Sequence, residues 1–137
     1  MVKLEDLDEG EMLELFQELF FHGRHPAFAG SKVLSEGGHG QIDFPQAEGP
    51  MFQGQRIALL GAPYRVVGLN RGGACCPHFA LGKIVTGAED IQWRGTPIVM
   101  TGDRGVHAHA CGTNTVIVTE GWRKIQTPGE TFDFYPM

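Results

Sequence analysis

The stretch that decides the fold is residues 52–61, FQGQRIALLG, which recurs 41 positions later as residues 93–102, WRGTPIVMTG. Both copies follow the pattern aromatic-x-Gly-x-x-Ile-x-x-x-Gly. A pattern that recurs along one chain indicates a repeated structural unit. Aliphatic residues between glycines favour short strands joined by tight turns. The sequence therefore predicts a small sheet structure built on a repeated β-unit.

Composition and charge narrow the class of protein. The chain has 137 residues, 42% of them apolar, which suffices for one domain with a modest core. Its 20 glycines follow no collagen period and fit tight turns between short strands. Residues 1–22 hold seven acids and one base, whereas the other 115 residues hold nine acids and ten bases. Residues 1–22 form an acidic head, and the rest of the chain is nearly neutral. The sequence has no basic stripe, so it does not predict a nucleic-acid partner.

The acidic head carries a helix signal over residues 8–22. Asp8 and Glu11 have the spacing of a capping box, and Gly23 is a typical stop. The apolar residues at helical spacing are Met12, Leu15, Phe16, Leu19 and Phe20. We expect this amphipathic face to pack on the body of the same domain; the alternative is a helix that docks a partner.

The rest of the chain divides into a linker, a β-domain and a tail. A linker is predicted at 23–32. The first division is taken as residues 1–30, which hold the N-terminal acidic helix and linker. The β-domain is residues 31–126, and an aromatic tail follows at 127–137. Short strands are expected at 32–34, 55–60, 64–67, 83–85, 97–100 and 113–119. Asp103, which follows the repeat glycine, is expected to shape a turn.

Three loops concentrate the Cys and His residues of the body. They hold His39 between two glycines, then Cys75, Cys76 and His78, then His107, His109 and Cys111. Three cysteines cannot all pair within one chain, which favours free thiols or metal ligation. If the loops meet at one end of the sheet, four of these side chains form a closed tetrahedral site, typical of structural zinc.

Each cluster also has a purely structural interpretation. His39 can be a solvated turn residue, and Cys75 and Cys76 can be buried as small apolar side chains. His107 and His109 can form an exposed polar edge. Acids near the clusters are sparse, with Glu36 and Asp103 nearest in sequence, so catalysis is less favoured than a structural site.

The repeat and the loops between its copies resemble the PAAR-repeat proteins. Those proteins form the pointed cap on the trimeric β-helical spike of type VI secretion systems, contractile phage tails and related injection devices. Gly95-x-Pro97 and Gly102-Asp103 follow the family signature, while residues 97–100, PIVM, stand where the Pro-Ala-Ala-Arg box would be. The resemblance covers roughly residues 31–121.

The resemblance implies a fold and a metal site. The fold is mainly β, a small conical pseudo-three-fold repeat of short strands with an N-terminal amphipathic helix outside it. In the family, a zinc ion near the vertex is held by His and Cys residues of three converging loops. Carried onto this chain, that implies His39, His78 and Cys111, with His109 as the fourth ligand and Cys76 as its rival. Cys75 and His107 also remain open for the fourth position.

The implied function is mechanical and not enzymatic. One chain caps one spike trimer through the base of the cone, sharpens it, and touches the target membrane only transiently. The N-terminus does not have the form of a signal peptide, so assembly in the cytoplasm is expected, followed by display at the tip of a tail or secreted particle. The alternatives are a small zinc-dependent hydrolase that uses the Cys/His loops, and an adaptor β-domain with a docking helix and redox-active thiols.

Overall fold

A computed structural model describes residues 1–35, 38–43, 49–68, 80–109 and 112–122. This part of the chain is mainly β, as predicted, with one α-helix, α1 (Glu9–Phe21), and a short 3-10 turn at Leu4–Asp6. The strands are β1 (Val2–Lys3), β2 (Lys32–Ser35), β3 (Gly38–Ile42), β4 (Met51–Phe52), β5 (Gln55–Arg56), β6 (Pro63–Gly68), β7 (Ala80–Ile84), β8 (Ala88–Trp93), β9 (Thr96–Ile98), β10 (Arg104–His109) and β11 (Gly112–Val118).

Six of these strands form a closed barrel in the order β10-β11-β2-β3-β6-β7. Every neighbouring pair is antiparallel, so the barrel consists of three hairpins, β2–β3, β6–β7 and β10–β11. Because the strands alternate in direction, β2, β6 and β10 all run the same way. The segments 36–37, 69–79 and 110–111 therefore connect to the barrel at the same end, which we call the loop end.

The opposite end, the closed end, is tied together by a ring of backbone hydrogen bonds. Ala27 N–H donates to Val99 O at 2.8 Å, Val99 N–H donates to Ala58 O at 2.9 Å, and Ala58 N–H donates to Ala27 O at 2.9 Å. All three residues are fully buried. The bridges beside them pair Pro26 with Met100, Phe28 with Ile57 and Leu59 with Ile98.

A second set of bonds recurs with the same geometry in each of the three segments. The N–H groups of Gly30, Gly61 and Gly102 donate to the last carbonyls of their own hairpins, at 2.8, 2.9 and 2.8 Å. The φ angles of these glycines are +94°, +92° and +93°, in the left-handed region that favours glycine. The predicted linker is therefore wrong over residues 25–30, because this segment is hydrogen-bonded into the closed end of the barrel like residues 56–61 and 97–102.

The sequence around Gly30 carries the repeat in a third, altered copy. Residues 21–30 read FHGRHPAFAG, with an aromatic residue, then glycine two residues later and glycine at the end. Pro26 stands where the other copies have isoleucine. Gly23, like its counterparts Gly54 and Gly95, has a positive φ.

Helix α1 packs on the closed-end side of the protein, which confirms the prediction for its apolar face. Both halves of the capping box form, since Asp8 Oδ1 accepts from Glu11 N–H and Glu11 Oε1 accepts from Asp8 N–H. Phe16 is fully buried, and its ring centroid lies 4.6 Å from that of Phe52 and 5.9 Å from that of Trp122. Within the described ranges, no helix has the length and apolar character needed to cross a bilayer.

The N-terminal acids also fasten the two hairpins that lead into the closed end. The β4–β5 and β8–β9 turns place Gln53 and Arg94 at positive φ, and each is followed by a glycine at positive φ. Glu9 Oε1 accepts from Gln53 N–H at 3.0 Å, and Glu5 Oε1 accepts from Arg94 N–H at 2.9 Å. The second of these hydrogen bonds lowers the pKa of Glu5. The acidic head is thus an integral part of the closed-end side.

Candidate metal centre at the loop end

The loop end collects the three chain segments that the sequence analysis singled out. Segment 36–37 immediately precedes the strand that carries His39, segment 69–79 contains the second Cys/His cluster, and segment 110–111 contains Cys111. The barrel topology therefore connects all three clusters at one end. The predicted ligands Cys76, His78 and Cys111, and also Cys75, lie outside the described residues.

His39 lies on the outer wall of the barrel. It pairs with Leu34 on one side and Val67 on the other, and its side chain is exposed. A Cβ at the following residue, Gly40, would overlap the Arg65 carbonyl, so this glycine lets β3 approach the backbone of β6. Because its side chain is exposed on the outer wall, His39 does not share a site with ligands inside the barrel. A metal bound by His39 would lie outside the wall.

His107 takes the opposite position, inside the barrel. It is 6% exposed, so the alternative of an exposed polar edge is wrong for this residue. Its Nδ1 lies 2.8 Å from the hydroxyl oxygen of Tyr64, which is fully buried. Burial raises the pKa of Tyr64, so the hydroxyl keeps its proton, and it shares one hydrogen bond with Nδ1 of His107.

Tyr64 is the central side chain that sequence reasoning missed. A Cβ at Gly82 would lie 2.5 Å from its hydroxyl oxygen, and a Cβ at Gly105 would overlap its ring. The ring occupies the space that side chains at both glycines would need. A glycine inside a strand pattern signals such a close approach, and ALGKI and RGVHAH each contain one.

His109 ends strand β10, where its backbone pairs with Gly112. Among the residues that the structure describes, no group of three or more His, Cys, Asp and Glu side chains could hold a metal ion. The predicted site at His39, His78, Cys111 and either His109 or Cys76 therefore stays a prediction.

Asp103 shapes a turn, as predicted. Its Oδ2 accepts from Met100 N–H at 2.7 Å, and its Oδ1 accepts from the Thr86 hydroxyl at 2.8 Å. We call residues 25–30, 56–61 and 97–102 the three closing segments. The bonds of Asp103 hold the chain where the third closing segment leads into β10. Glu36, the other acid near the clusters in sequence, lies outside the described residues.

Two ion pairs join separate elements of the described structure. Arg24 makes a two-pronged contact to Asp90 at 2.8 and 2.9 Å, and this contact lowers the pKa of Asp90. Arg65 Nε donates to Asp43 Oδ1 at 2.6 Å, and Asp43 is 8% exposed. Both pairs connect sequence-distant strands and loops, which is a structural use of charge.

Comparison of the chain with protein-family models, with curated proteins and with solved structures finds no match.

Proposed function

We propose that the protein is a structural tip that caps a trimeric β-helical spike in a contractile injection device. The observation that carries the proposal is the threefold recurrence of one backbone unit: a closing segment, a glycine at positive φ, and a hairpin. The ring through Ala27, Ala58 and Val99 joins the three units to one another. In this proposal the barrel is a pseudo-three-fold cone whose vertex is the loop end.

An internal threefold repeat suits a partner with three identical chains. A trimeric spike offers three equivalent surfaces around one axis, and one chain with three similar units can contact all of them. The closed-end side is then the base, and it exposes apolar side chains, among them Phe21 at 85% and Met51 at 50%. The proposed complex contains one copy of this chain per three spike chains.

A zinc ion completes the proposed vertex. Short strands that converge on a point leave little room there for a hydrophobic core, and one ion can replace that packing by cross-linking the three connections. The donor set is chemically suited to zinc, because thiolate and imidazole are its preferred protein ligands. We propose His39, His78 and Cys111 as ligands, with His109 or Cys76 as the fourth.

Two measurements test the metal part of the proposal. Elemental analysis of the purified protein should give one zinc per chain, and His78→Ala and Cys111→Ser should each abolish it. Zinc retained in His39→Ala would show that the exposed His39 is not a ligand. X-ray absorption should show four protein nitrogen and sulfur ligands; a water in the coordination shell would favour the hydrolase alternative.

The cap itself is tested by stoichiometry. The protein is mixed with candidate spike trimers, and the mass of the complex is measured by light scattering or native mass spectrometry. One chain per trimer is expected, and Phe21→Asp with Met51→Asp should weaken the complex while Leu81→Asp, on the barrel wall, should not. Three chains bound per trimer would contradict the proposal.

A further inference from the structure

The outer wall of the barrel carries a band of exposed aliphatic side chains. One lies on each of five barrel strands, and the sixth strand, β3, carries His39 at the corresponding place. We call these six residues the collar: Leu34 (55% exposed), His39, Val67 (47%), Leu81 (61%), Val106 (37%) and Ile117 (46%).

The first half of the collar is a single cross-strand row. Ile117 pairs with Leu34, Leu34 pairs with His39, and His39 pairs with Val67. Side chains of directly paired residues are neighbours on one face of a sheet. The row therefore crosses β11, β2, β3 and β6 without a gap.

Diagonal neighbours close the other half of the collar. Arg65 pairs with Leu81, which places Val67 one diagonal step from Leu81. Lys83 pairs with Val106, so Leu81 and Val106 are diagonal neighbours as well. The pairing of Val106 with Thr115 sets Val106 diagonal to Ile117, and the circuit around the barrel is complete.

A ring of cations accompanies the collar on its closed-end side. On four strands an exposed Lys or Arg lies two residues nearer to the closed end than the collar residue of that strand; these cations are Lys32, Arg65, Lys83 and Arg104. The six barrel strands contain no Asp or Glu. Arg65 also forms an ion pair with the carboxylate of Asp43.

We propose that the collar and its cation ring form a binding surface for an anionic lipid bilayer. A bilayer surrounds a pointed object on every side, which matches a band that encircles the barrel. Two residues along a strand span about 6.6 Å, which is the depth scale that separates acyl chains from lipid phosphates. With the loop end inserted first, the aliphatic groups enter the acyl region while the cations stay at the phosphates.

The contact is interfacial and does not span the bilayer. Within the described part of the chain the barrel strands have four to seven residues, fewer than the about 9–11 of a tilted spanning strand. The inference rests on the proposed tip function only for the direction of approach. Its test uses the isolated protein and lipid alone, so failure of lipid binding and failure of spike capping are distinguishable.

The test is co-sedimentation of the full chain with vesicles of equal parts phosphatidylcholine and phosphatidylglycerol in 0.1 M salt. Each cation near an anionic surface contributes about a fivefold gain in partitioning, so Lys32→Gln, Lys83→Gln and Arg104→Gln together should weaken binding about 100-fold. The collar variant Leu34→Ser, Leu81→Ser, Ile117→Ser should weaken it by about tenfold or more.

Two matched controls lie outside the wall. Phe21→Ser removes a large exposed apolar side chain from the closed-end side, and Lys3→Gln removes one positive charge from the N-terminal segment. Both should bind lipid like the unmodified chain. Circular dichroism melting of every variant checks that the changes at these exposed positions leave the fold intact.

Three results would overturn the proposal. The first is no sedimentation of the unmodified chain with anionic vesicles, and the second is equal binding to vesicles of phosphatidylcholine alone. The third is that the unmodified protein self-associates and the collar variant is monomeric but binds lipid equally well. That result would assign the collar to a contact with a second copy of this chain.

Discussion

A methyl group added inside the barrel tests whether Tyr64 is the side chain that organises its interior. The change is Gly105→Ala, at a position on β10 with a φ that any residue adopts. The new Cβ would overlap the Tyr64 ring and lie 3.0 Å from both Lys83 O and Val116 Cγ2. The ring cannot swing away freely, because its hydroxyl is bonded to His107.

The cost follows from the crowding around the ring. Gly82 marks a second contact, since a Cβ there would lie 2.5 Å from the Tyr64 hydroxyl oxygen, so the ring is confined on two sides. Overpacking of a tight core costs about 1–3 kcal/mol, and we expect Gly105→Ala to fall near 3 kcal/mol. At about 3 °C per kcal/mol for a chain of this size, the melting temperature should drop by about 9 °C.

A double-mutant cycle identifies the clash as the cause. Tyr64→Val removes the ring and should cost about 2–4 kcal/mol on its own. In that background the alanine at 105 fills part of the space, so the two changes together should be about 1–2 kcal/mol more stable than the sum of the single changes. Gly10→Ala in the exposed first turn of α1 is the matched control and should stabilise slightly.

Urea denaturation followed by circular dichroism measures the four proteins of the cycle and the Gly10→Ala control. The reasoning fails if Gly105→Ala costs less than about 0.5 kcal/mol, the range of ordinary surface changes. It also fails if the cycle shows no coupling, because the methyl group would then clash with something other than Tyr64.

Three further predictions concern the repeat, the buried tyrosine and the metal. Gly30→Ala should destabilise the protein by about 1–2 kcal/mol, because alanine is strained at φ +94°, and denaturant unfolding measures the cost; a neutral effect would remove residues 21–30 from the repeat. Burial raises the pKa of Tyr64 above its usual value of 10.0, so the contribution of this residue to the unfolding free energy should be constant below about pH 10 and fall as pH rises further. Absorbance at 295 nm should show Tyr64 titrating only with unfolding, and normal titration in the folded protein would contradict this. A chelator should lower the melting temperature, and Cys111→Ser should destabilise far more than Cys75→Ser; equal small effects would argue against a metal cross-link.

Local signals in the sequence were sufficient for the helix and for part of the repeat. The capping box at Asp8 and Glu11 and the spacing of the apolar residues depend on neighbours within one or two turns, which the sequence shows directly. The glycines of the repeat report backbone conformation at single positions, Gly61 and Gly102, in the same direct way.

The third copy was missed because two signals overlap in it. Its aromatic residue, Phe21, is also the last residue of α1, and a helical pattern there masks the start of the repeat. Phe21 is 85% exposed, whereas its counterpart Phe52 is fully buried, so the two aromatic residues lie in different environments. Pro26 then replaces the isoleucine that makes the other copies recognisable.

Strand β8 and the Tyr64–His107 pair were missed for different reasons. Strand β8, AEDIQW, carries acids that are depleted in strands and buries only Ala88 and Ile91, so its sequence gives a weak signal. The pair joins residues 43 positions apart, and only the closure of the barrel brings them together.

The barrel also explains why the repeat can be recognised in the sequence of the closing segments but not in the sequence of the strands. Val33, Tyr64 and Gly105 occupy matching places three residues after the repeat glycines, yet one is medium, one is large and one has no side chain. The interior requires that their combined volume fit, so the three copies need not carry the same residue type at this position. The closing segments, in contrast, depend on backbone bonds and positive φ angles, which each copy must satisfy separately. Backbone requirements therefore preserve a residue pattern that shared packing requirements allow to vary.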